Sequence, residues 1–121
     1  SWSRVEQQRN RRRGDAGDLG FAFQDWGIPT PAALRLLRPY RDRATLFASG
    51  GLRHGIDMVK AVVLGARLCG MAAPFLQPAM ESAAAVGVVI ERLRREFVTA
   101  MFLLGARTID DMCGNEQLIL E

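Results

Sequence analysis

Apolar residues recur three or four positions apart in three stretches of this chain, and two short apolar runs lie between those stretches. The first stretch predicts a helix with Thr30 as its N-cap and Pro31 as its first residue, because proline has no N–H group to leave unpaired there. Pro39 is expected to end or kink this helix near its last turn. The apolar positions of the helix are Ala33, Leu34, Leu37 and Tyr40.

The two short apolar runs predict strands. The run 44–49 lies between Arg43 and a pair of glycines, as is typical of a buried parallel strand, and the run 67–73 predicts a second strand. A turn, GGLRHG, follows the first run, and a helix is predicted over 56–66. The residues of that helix available for burial are Ile56, Val59, Val63 and Leu64.

The third helical stretch is the longest. Pro74 is expected to open a helical region, and apolar residues then keep helical spacing for about five turns. Gly105 is the predicted end of this helix, and a short turn of helix and a loose end are expected after it. The apolar positions are Val86, Val89, Ile90, Leu93, Phe97, Met101 and Leu104.

This order of elements predicts an α/β fold with parallel strands and right-handed crossovers. Two strands are too few for an open doubly wound sheet or a (β/α)8 barrel, since a barrel usually takes about 250 residues. The chain has 121 residues. We therefore expect it to be the C-terminal part of something larger, with parallel strand edges and one sheet face left uncovered.

Composition changes this picture little, because 49% hydrophobic and 24% charged residues are ordinary for a globular domain. There is no apolar run long enough to span a membrane, and the first residues lack the apolar core of a signal peptide. The net charge is +3, all positively charged residues except Lys60 are arginines, and four of the arginines are crowded at 9–13. This run is interpreted as a solvated loop, with a polyanion-binding patch as the alternative. Two cysteines, Cys69 and Cys113, suggest reduced thiols and a cytoplasmic location.

Candidate chemistry lies in two turns that each follow a predicted strand. SGGLRHGID follows the first strand and GMAAP the second, and in barrels the loops after the last two strands commonly hold a phosphate. Small residues let backbone N–H groups approach an anion, and a helix N-terminus adds partial positive charge. Arg53 can donate a forked contact to phosphate oxygens. The small residues are Gly50, Gly51, Gly55, Gly70, Ala72 and Ala73.

Other side chains near these turns have plainer interpretations. His54, the only histidine, is expected to be an exposed turn residue, with a phosphate contact as the alternative. Asp57 lies where a carboxylate of the first helical turn belongs. Lys60 is expected to make a surface ion pair. Trp2 and Trp26 are either walls of an active site or ordinary packing, and the sequence has no evident nucleophile–base pair or metal-ligand spacing.

Several segments resemble a known family. SGGLRHGIDMVKAVVLGARLCGMAAPFL is similar to the phosphate-binding end of flavin mononucleotide (FMN) barrels, a group that includes the 2-hydroxy acid oxidases. Within that group the chain resembles type 2 isopentenyl-diphosphate delta-isomerases. SWSRVE resembles the segment after a GGT turn, DWGIPTPAAL the start of the next helix, and LRREFVTAMFLLGARTIDDM the last helix and its following turn. ASGG also replaces the DGG typical of the oxidases.

The resemblance implies an FMN-binding (β/α)8 TIM barrel that interconverts isopentenyl and dimethylallyl diphosphate, using reduced flavin, Mg²⁺ and NADPH. It implies that Gly51, Leu52 and Arg53 form the G-x-R flavin-phosphate motif, and that Ala72 and Ala73 are the pair of small residues after the last strand. Leu52 stands where the family more often has valine or isoleucine, at a contact made through the backbone. A homo-oligomer is expected, with no nucleic-acid or membrane partner.

The resemblance also places the chain as the C-terminal portion of one barrel domain. Residues 1–28 would be a strand exit and loop, 29–104 the phosphate-binding part, and 105–121 a tail. The family's flavin-adjacent lysine, its Gln-Glu pair and its basic residues for diphosphate belong upstream, so no catalytic or metal residue is expected here. One alternative is an FMN-dependent oxidoreductase of the 2-hydroxy acid oxidase type, although no arginine follows His54 at His-x-x-Arg spacing. Another is that the chain is not enzymatic: an inactive truncated fragment, or a binding module that survives by self-association.

Overall fold

The computed structural model describes residues 22–23 and 25–119, in which helices pack on one face of a two-stranded parallel sheet. The predicted order of elements is confirmed, whereas Trp2, the arginine run at 9–13 and the SWSRVE segment lie outside the described residues. In chain order the elements are α1 (Thr30–Leu37), a 3-10 turn (Arg38–Tyr40), β1 (Phe47–Ser49), α2 (Gly55–Val63), β2 (Leu68–Gly70), α3 (Ala73–Glu81), α4 (Ala83–Leu103), α5 (Ile109–Met112) and a second 3-10 turn (Glu116–Leu118).

The sheet pairs β1 with β2 in parallel, as predicted, with Ser49 opposite Gly70. Each strand has only three residues and is shorter than the apolar run that predicted it. The ladder ends after Ser49 because Gly50 and Gly51 adopt positive φ angles of 93° and 82°, which turn the chain out of the sheet. α2 connects the two strands, as a parallel pair requires.

The two faces of the sheet have different environments. Ala48 is buried beneath the helices, whereas Phe47 and Leu68 on the other face are 66% and 56% exposed. The expectation of a fully buried strand is therefore wrong for β1, since side chains alternate between a covered and an open face. The uncovered face agrees with the expectation for an incomplete barrel.

Helix α1 begins one residue earlier than predicted, so Pro29 rather than Thr30 occupies the N-cap position. The Thr30 hydroxyl is used elsewhere: its Oγ1 lies 3.1 Å from the carbonyl oxygen of Ser49 and 2.8 Å from that of Gly50. A side chain that bonds the strand exit is not free to cap its own helix. Pro39 does end the α-helix, which passes into a 3-10 turn.

The long helical region is divided by Ser82. This residue is extended (φ −171°, ψ 162°), and its Oγ accepts a hydrogen bond from the Ala85 amide at 3.0 Å, which starts α4. Pro74 lies in the first turn of α3, as predicted, and Gly105 ends the region with a φ of 71°.

Two buried clusters lie on either side of α2. One joins α1, β1 and α2 through Leu34, Leu46, Ala48, Ala61, Leu64 and Ala66. The other consists of Val59, Val62, Val63 and Met112, with residues of α4 packed against it. Ile56 and Ile90 were expected to be buried and are exposed instead, as are Leu37 and Tyr40, because no described element covers those helix faces.

The described part of the tail, which reaches Ile119, is not loose, contrary to expectation, because Leu118 and Ile119 pack against the buried cluster that contains Met112. The predicted short turn of helix is α5, and its Met112 is fully buried against α2. The Thr108 side chain and the Asp111 carboxylate cap α5 reciprocally, which holds this turn in place. Among the described helices, none is long and apolar enough to cross a bilayer.

Candidate functional site

The parallel register brings the two predicted turns together at one edge of the sheet. Because Ser49 pairs with Gly70, the first turn (50–53) and the second turn (71–73) leave the sheet side by side at the carboxyl ends of β1 and β2. This edge of the sheet is the usual ligand-binding position of parallel α/β proteins. The structure thus places Gly51, Leu52 and Arg53 at the same edge of the sheet as Ala72 and Ala73.

The first turn depends on its two glycines. Both Gly50 and Gly51 have positive φ, which other residues rarely adopt, and an added Cβ on Gly51 would have no atom within 4 Å. The space beside Gly51 is therefore open to a ligand. The carbonyl oxygens of Ser49 and Gly50 are bonded by Thr30, so the strand exit is held by α1.

Four backbone amides in the two turns are left without acceptors. Within the described part of the chain, the N–H groups of Gly51, Leu52, Ala72 and Ala73 have no hydrogen-bond partner. The side chain of Arg53 is exposed and forms no ion pair with any described residue. Unpaired N–H donors beside a guanidinium constitute the donor set that phosphate oxygens accept.

At the start of helix α2, in contrast, three successive amides already have side-chain acceptors. The Asp57 carboxylate accepts hydrogen bonds from the amides of Arg53 and His54 at 3.0 and 3.1 Å. Oε2 of Glu96, on α4, accepts the Gly55 amide at 2.6 Å. Asp57 is therefore the predicted first-turn carboxylate, and two carboxylates already neutralise the partial positive charge of this helix end.

Position 55 requires a residue without a side chain for a different reason than predicted. Gly55 is buried where α2 meets α4, and an added Cβ would lie 2.6 Å from the Glu96 Cβ and 2.6 Å from the Phe97 nitrogen. Its smallness permits this helix crossing rather than the approach of an anion, so its assignment to the phosphate cradle is wrong.

Helix α3 has the open amino terminus at this edge of the sheet. Ala72 is its N-cap residue, no side chain caps it, and no acidic residue lies in its first turn. The partial positive charge of the helix end is consequently available beside the first turn. The helix contribution expected for the phosphate site thus comes from α3 and not from α2.

The other candidate residues, His54, Lys60 and Trp26, lie near the first turn but are not among its proposed phosphate ligands. His54 is exposed as predicted, and its Nδ1 is 3.9 Å from Oε2 of Glu96. Lys60 has no carboxylate within ion-pair distance among the described residues, so the predicted ion pair is wrong. Trp26 is 77% exposed and is not core packing, although its ring meets Phe23 edge-on with ring centroids 5.5 Å apart. Lys60 and Trp26 line a cavity of about 580 Å³ beside Gly50 and Gly51.

The cysteines and carboxylates of residues 25–119 form neither a disulfide nor a candidate metal site. Both cysteines are free, in agreement with the expected reduced thiols, and burial raises the pKa of the Cys69 thiol. No group of three or more potential metal ligands occurs among the described residues.

Sequence reasoning did not find two residues that support the site. The Thr30 hydroxyl was assigned to capping, and Glu96 lies 41 positions from the amide it accepts. A carboxylate in a long, charged helix gives no local signal of such a contact.

The chain is thus part of an α/β protein in which two turns with unpaired amides follow adjacent parallel strands. The sequence model of the FMN-dependent dehydrogenase family matches residues 25–119, and the chain belongs to this family. Several curated relatives are called isopentenyl-diphosphate delta-isomerase. The one from Hydrogenovibrio crunogenus is 51% identical to this chain, and the match covers 99% of this chain and 35% of the relative. The one from Paracoccus zeaxanthinifaciens is 50% identical, and the match covers 98% of this chain and 35% of the relative. The one from Methanoregula boonei is 46% identical, and the match covers 93% of this chain and 32% of the relative. The chain spans about a third of the length of these relatives.

Proposed function

We propose that this chain is the flavin-phosphate-binding portion of an FMN-dependent isopentenyl-diphosphate delta-isomerase. In this proposal the phosphate of FMN is held by Gly51, Leu52, Arg53, Ala72 and Ala73. One observation carries the proposal: the two turns that follow the paired ends of β1 and β2 contain four unpaired amides and the exposed Arg53 side chain.

The donor set suits a phosphate monoester. Such a group carries up to two negative charges and three strong acceptor oxygens. The four amides can each donate one hydrogen bond, and Arg53 can donate a forked pair. The open start of α3 adds partial positive charge, while the nearest carboxylate, Asp57, is engaged by two amides of the first turn.

The isomerase activity is proposed from the relatives. Three curated relatives at 46–51% identity are called isopentenyl-diphosphate delta-isomerase. When bound, reduced flavin would supply proton transfer for the conversion of isopentenyl to dimethylallyl diphosphate with no net redox change. The residues of this chain would orient the flavin by its phosphate.

The larger assembly is also a proposal. We take β1 and β2 as the last two strands of a (β/α)8 barrel, because they are parallel, adjacent and uncovered on one face. The resemblance also implies Mg²⁺ and NADPH as cofactors, and we assign neither of them to a residue of this chain. The division at 28 and 104, a homo-oligomeric state and a cytoplasmic location remain predictions.

A fusion tests the proposal directly. The amino-terminal part of the Hydrogenovibrio crunogenus relative that this chain does not cover is joined ahead of the chain. FMN binding is followed by flavin fluorescence, and conversion of isopentenyl diphosphate by product analysis. We expect Arg53→Ala to lower the FMN affinity about tenfold or more, because a charge-assisted contact is lost.

Arg43 provides the matched control. It is an exposed arginine that precedes β1, at the opposite end of the strand from Arg53. Arg43→Ala should leave the FMN affinity unchanged. An Arg53→Ala variant that binds FMN as tightly as the parent would refute the assignment.

A second candidate function is an FMN-dependent oxidoreductase acting on 2-hydroxy acids. The description of the matching family, FMN-dependent dehydrogenase, supports it. Against it, His54 is used at the start of α2 and no arginine follows at His-x-x-Arg spacing. Flavin reduction by a 2-hydroxy acid, without isomerisation, would favour this candidate. A third candidate, an inactive fragment, predicts that the isolated chain sediments as a flavin-free oligomer.

A further inference from the structure

We infer that Glu96 is a positioning residue for the flavin-phosphate turn, although it lies on another helix and touches none of the proposed phosphate ligands. The inference rests on the proposed phosphate site. Its basis is the hydrogen bond between Glu96 and the Gly55 amide, which joins α4 to the start of α2 two residues after Arg53.

The contact between Glu96 and Gly55 is short and sheltered. Oε2 of Glu96 lies 2.6 Å from the Gly55 nitrogen, and the Glu96 side chain is only 28% exposed. Gly55 is itself buried against the α4 backbone between Leu93 and Phe97. The carboxylate therefore bonds α2 at the point where the two helices approach most closely, and a sheltered amide would be left unpaired without it.

The position of this bond links it to the phosphate donors. Three successive amides, those of Arg53, His54 and Gly55, are accepted by Asp57 and Glu96. The two amides immediately before them, Gly51 and Leu52, are left for the ligand. Asp57 belongs to α2 and moves with it, so among the described side chains Glu96 is the acceptor that ties this turn to a different element.

Glu96 could position the turn through its negative charge or through the hydrogen bond that it accepts from Gly55, and these two contributions can be separated. Its other oxygen, Oε1, lies 3.8 Å from Nε of Arg92, and Oε2 is 3.9 Å from Nδ1 of His54. Both ion-pair partners are more than half exposed, so screening by water leaves little net energy in these pairs. The accepted hydrogen bond, which glutamine can reproduce, should then account for the positioning.

The experiment uses the fusion described above and compares FMN with riboflavin, which lacks the phosphate. Loss of general stability would weaken both ligands, whereas a displaced phosphate turn would weaken FMN alone. We expect Glu96→Ala to lower the FMN affinity about fivefold and to change the riboflavin affinity less than about twofold. Glu96→Gln should retain both affinities, because its amide oxygen still accepts the Gly55 N–H group.

Two further variants complete the test. Glu91→Ala, on the exposed side of α4 where Glu91 lies 3.4 Å from Arg94, should change neither affinity. If Glu96→Ala does not fold, Glu96→Asp serves instead. Aspartate keeps the charge, but its side chain is one methylene shorter and its oxygen no longer reaches the Gly55 amide. Glu96→Asp should therefore weaken the binding of FMN but not that of riboflavin.

The outcomes separate this inference from the proposed function. If Arg53→Ala abolishes the preference for FMN over riboflavin but Glu96→Ala and Glu96→Asp retain it, the positioning role is wrong and the phosphate site stands. If Arg53→Ala also retains the preference, the phosphate site itself is wrong. Equal losses of both ligands in Glu96→Ala, without rescue by Glu96→Gln, would likewise overturn the positioning role.

Discussion

The crossing of α2 and α4 at Gly55 yields the sharpest stability prediction, for the substitution Gly55→Ala. A Cβ at this position would lie 2.6 Å from the Glu96 Cβ and 2.6 Å from the Phe97 nitrogen, and closer still to the Leu93 carbonyl oxygen. Two of these three atoms belong to the helix backbone, which cannot rotate away as the end of a side chain can. The helices must separate to admit one methyl group.

The expected cost has two parts. Forcing an extra methyl group into a packed crossing usually costs about 1–3 kcal/mol. Separation also breaks the Gly55–Glu96 hydrogen bond, and a bond to a charged acceptor contributes about 1.5–3 kcal/mol. Even with partial relaxation, we expect the free energy of unfolding to fall by about 3 kcal/mol.

Gly87→Ala is a control that makes the same chemical change but is expected to raise the free energy of unfolding. Gly87 lies within α4, and an added Cβ there would have no atom within 4 Å. Gly87→Ala should stabilise the protein by about 0.5–1 kcal/mol, because alanine loses less backbone entropy in a helix.

Urea unfolding of the fusion, followed by circular dichroism, measures both changes. A loss of about 3 kcal/mol should lower the midpoint by up to about 1 M, because m in urea is about 3 kcal/mol/M or more for a protein of this size. If Gly55→Ala unfolds at or above the midpoint of the parent, the close approach of α2 to α4 is refuted.

Three other features lead to measurable predictions. Met112→Ala should lower the free energy of unfolding by about 2–5 kcal/mol because Met112 is 0% exposed, whereas Met80→Ala, at an 83% exposed position, should change it little. Hydrogen bonds from Thr108 lower the pKa of Asp111 below its ordinary value of 3.8, so its stabilising contribution is complete above that pH and lost as the pH falls through the lowered pKa. Asp111→Asn should reduce this loss in acid unfolding. Burial raises the pKa of the Cys69 thiol, so in a variant without the other cysteine, iodoacetamide should alkylate Cys69 more slowly when folded than in urea.

The sequence was sufficient to predict the strands, their direction and the two turns. An apolar run followed by a glycine pair identifies a strand exit, and the helix between the runs requires a parallel pairing. The register of Ser49 against Gly70 then brings the turns together, as expected. These inferences succeed because each depends on residues close together in the chain.

The errors arise where distant segments meet. Gly55 looked like part of an anion-binding loop because nothing near it in the chain reveals that α4 crosses there. Thr30 has the chemistry of an N-cap, but the hydroxyl bonds two carbonyl groups at the exit of β1. Periodicity identified Ile56 and Ile90 as apolar helix positions without showing which helix faces are covered.

The proposed phosphate cradle consists of peptide N–H groups and one guanidinium. Peptide groups keep their protons across the physiological range, and an arginine side chain loses its proton only above about pH 12. No donor on the protein side switches off between mildly acidic and alkaline conditions. Of the cradle and its ligand, the partner that titrates near neutrality is the phosphate, which gains its second charge near about pH 6.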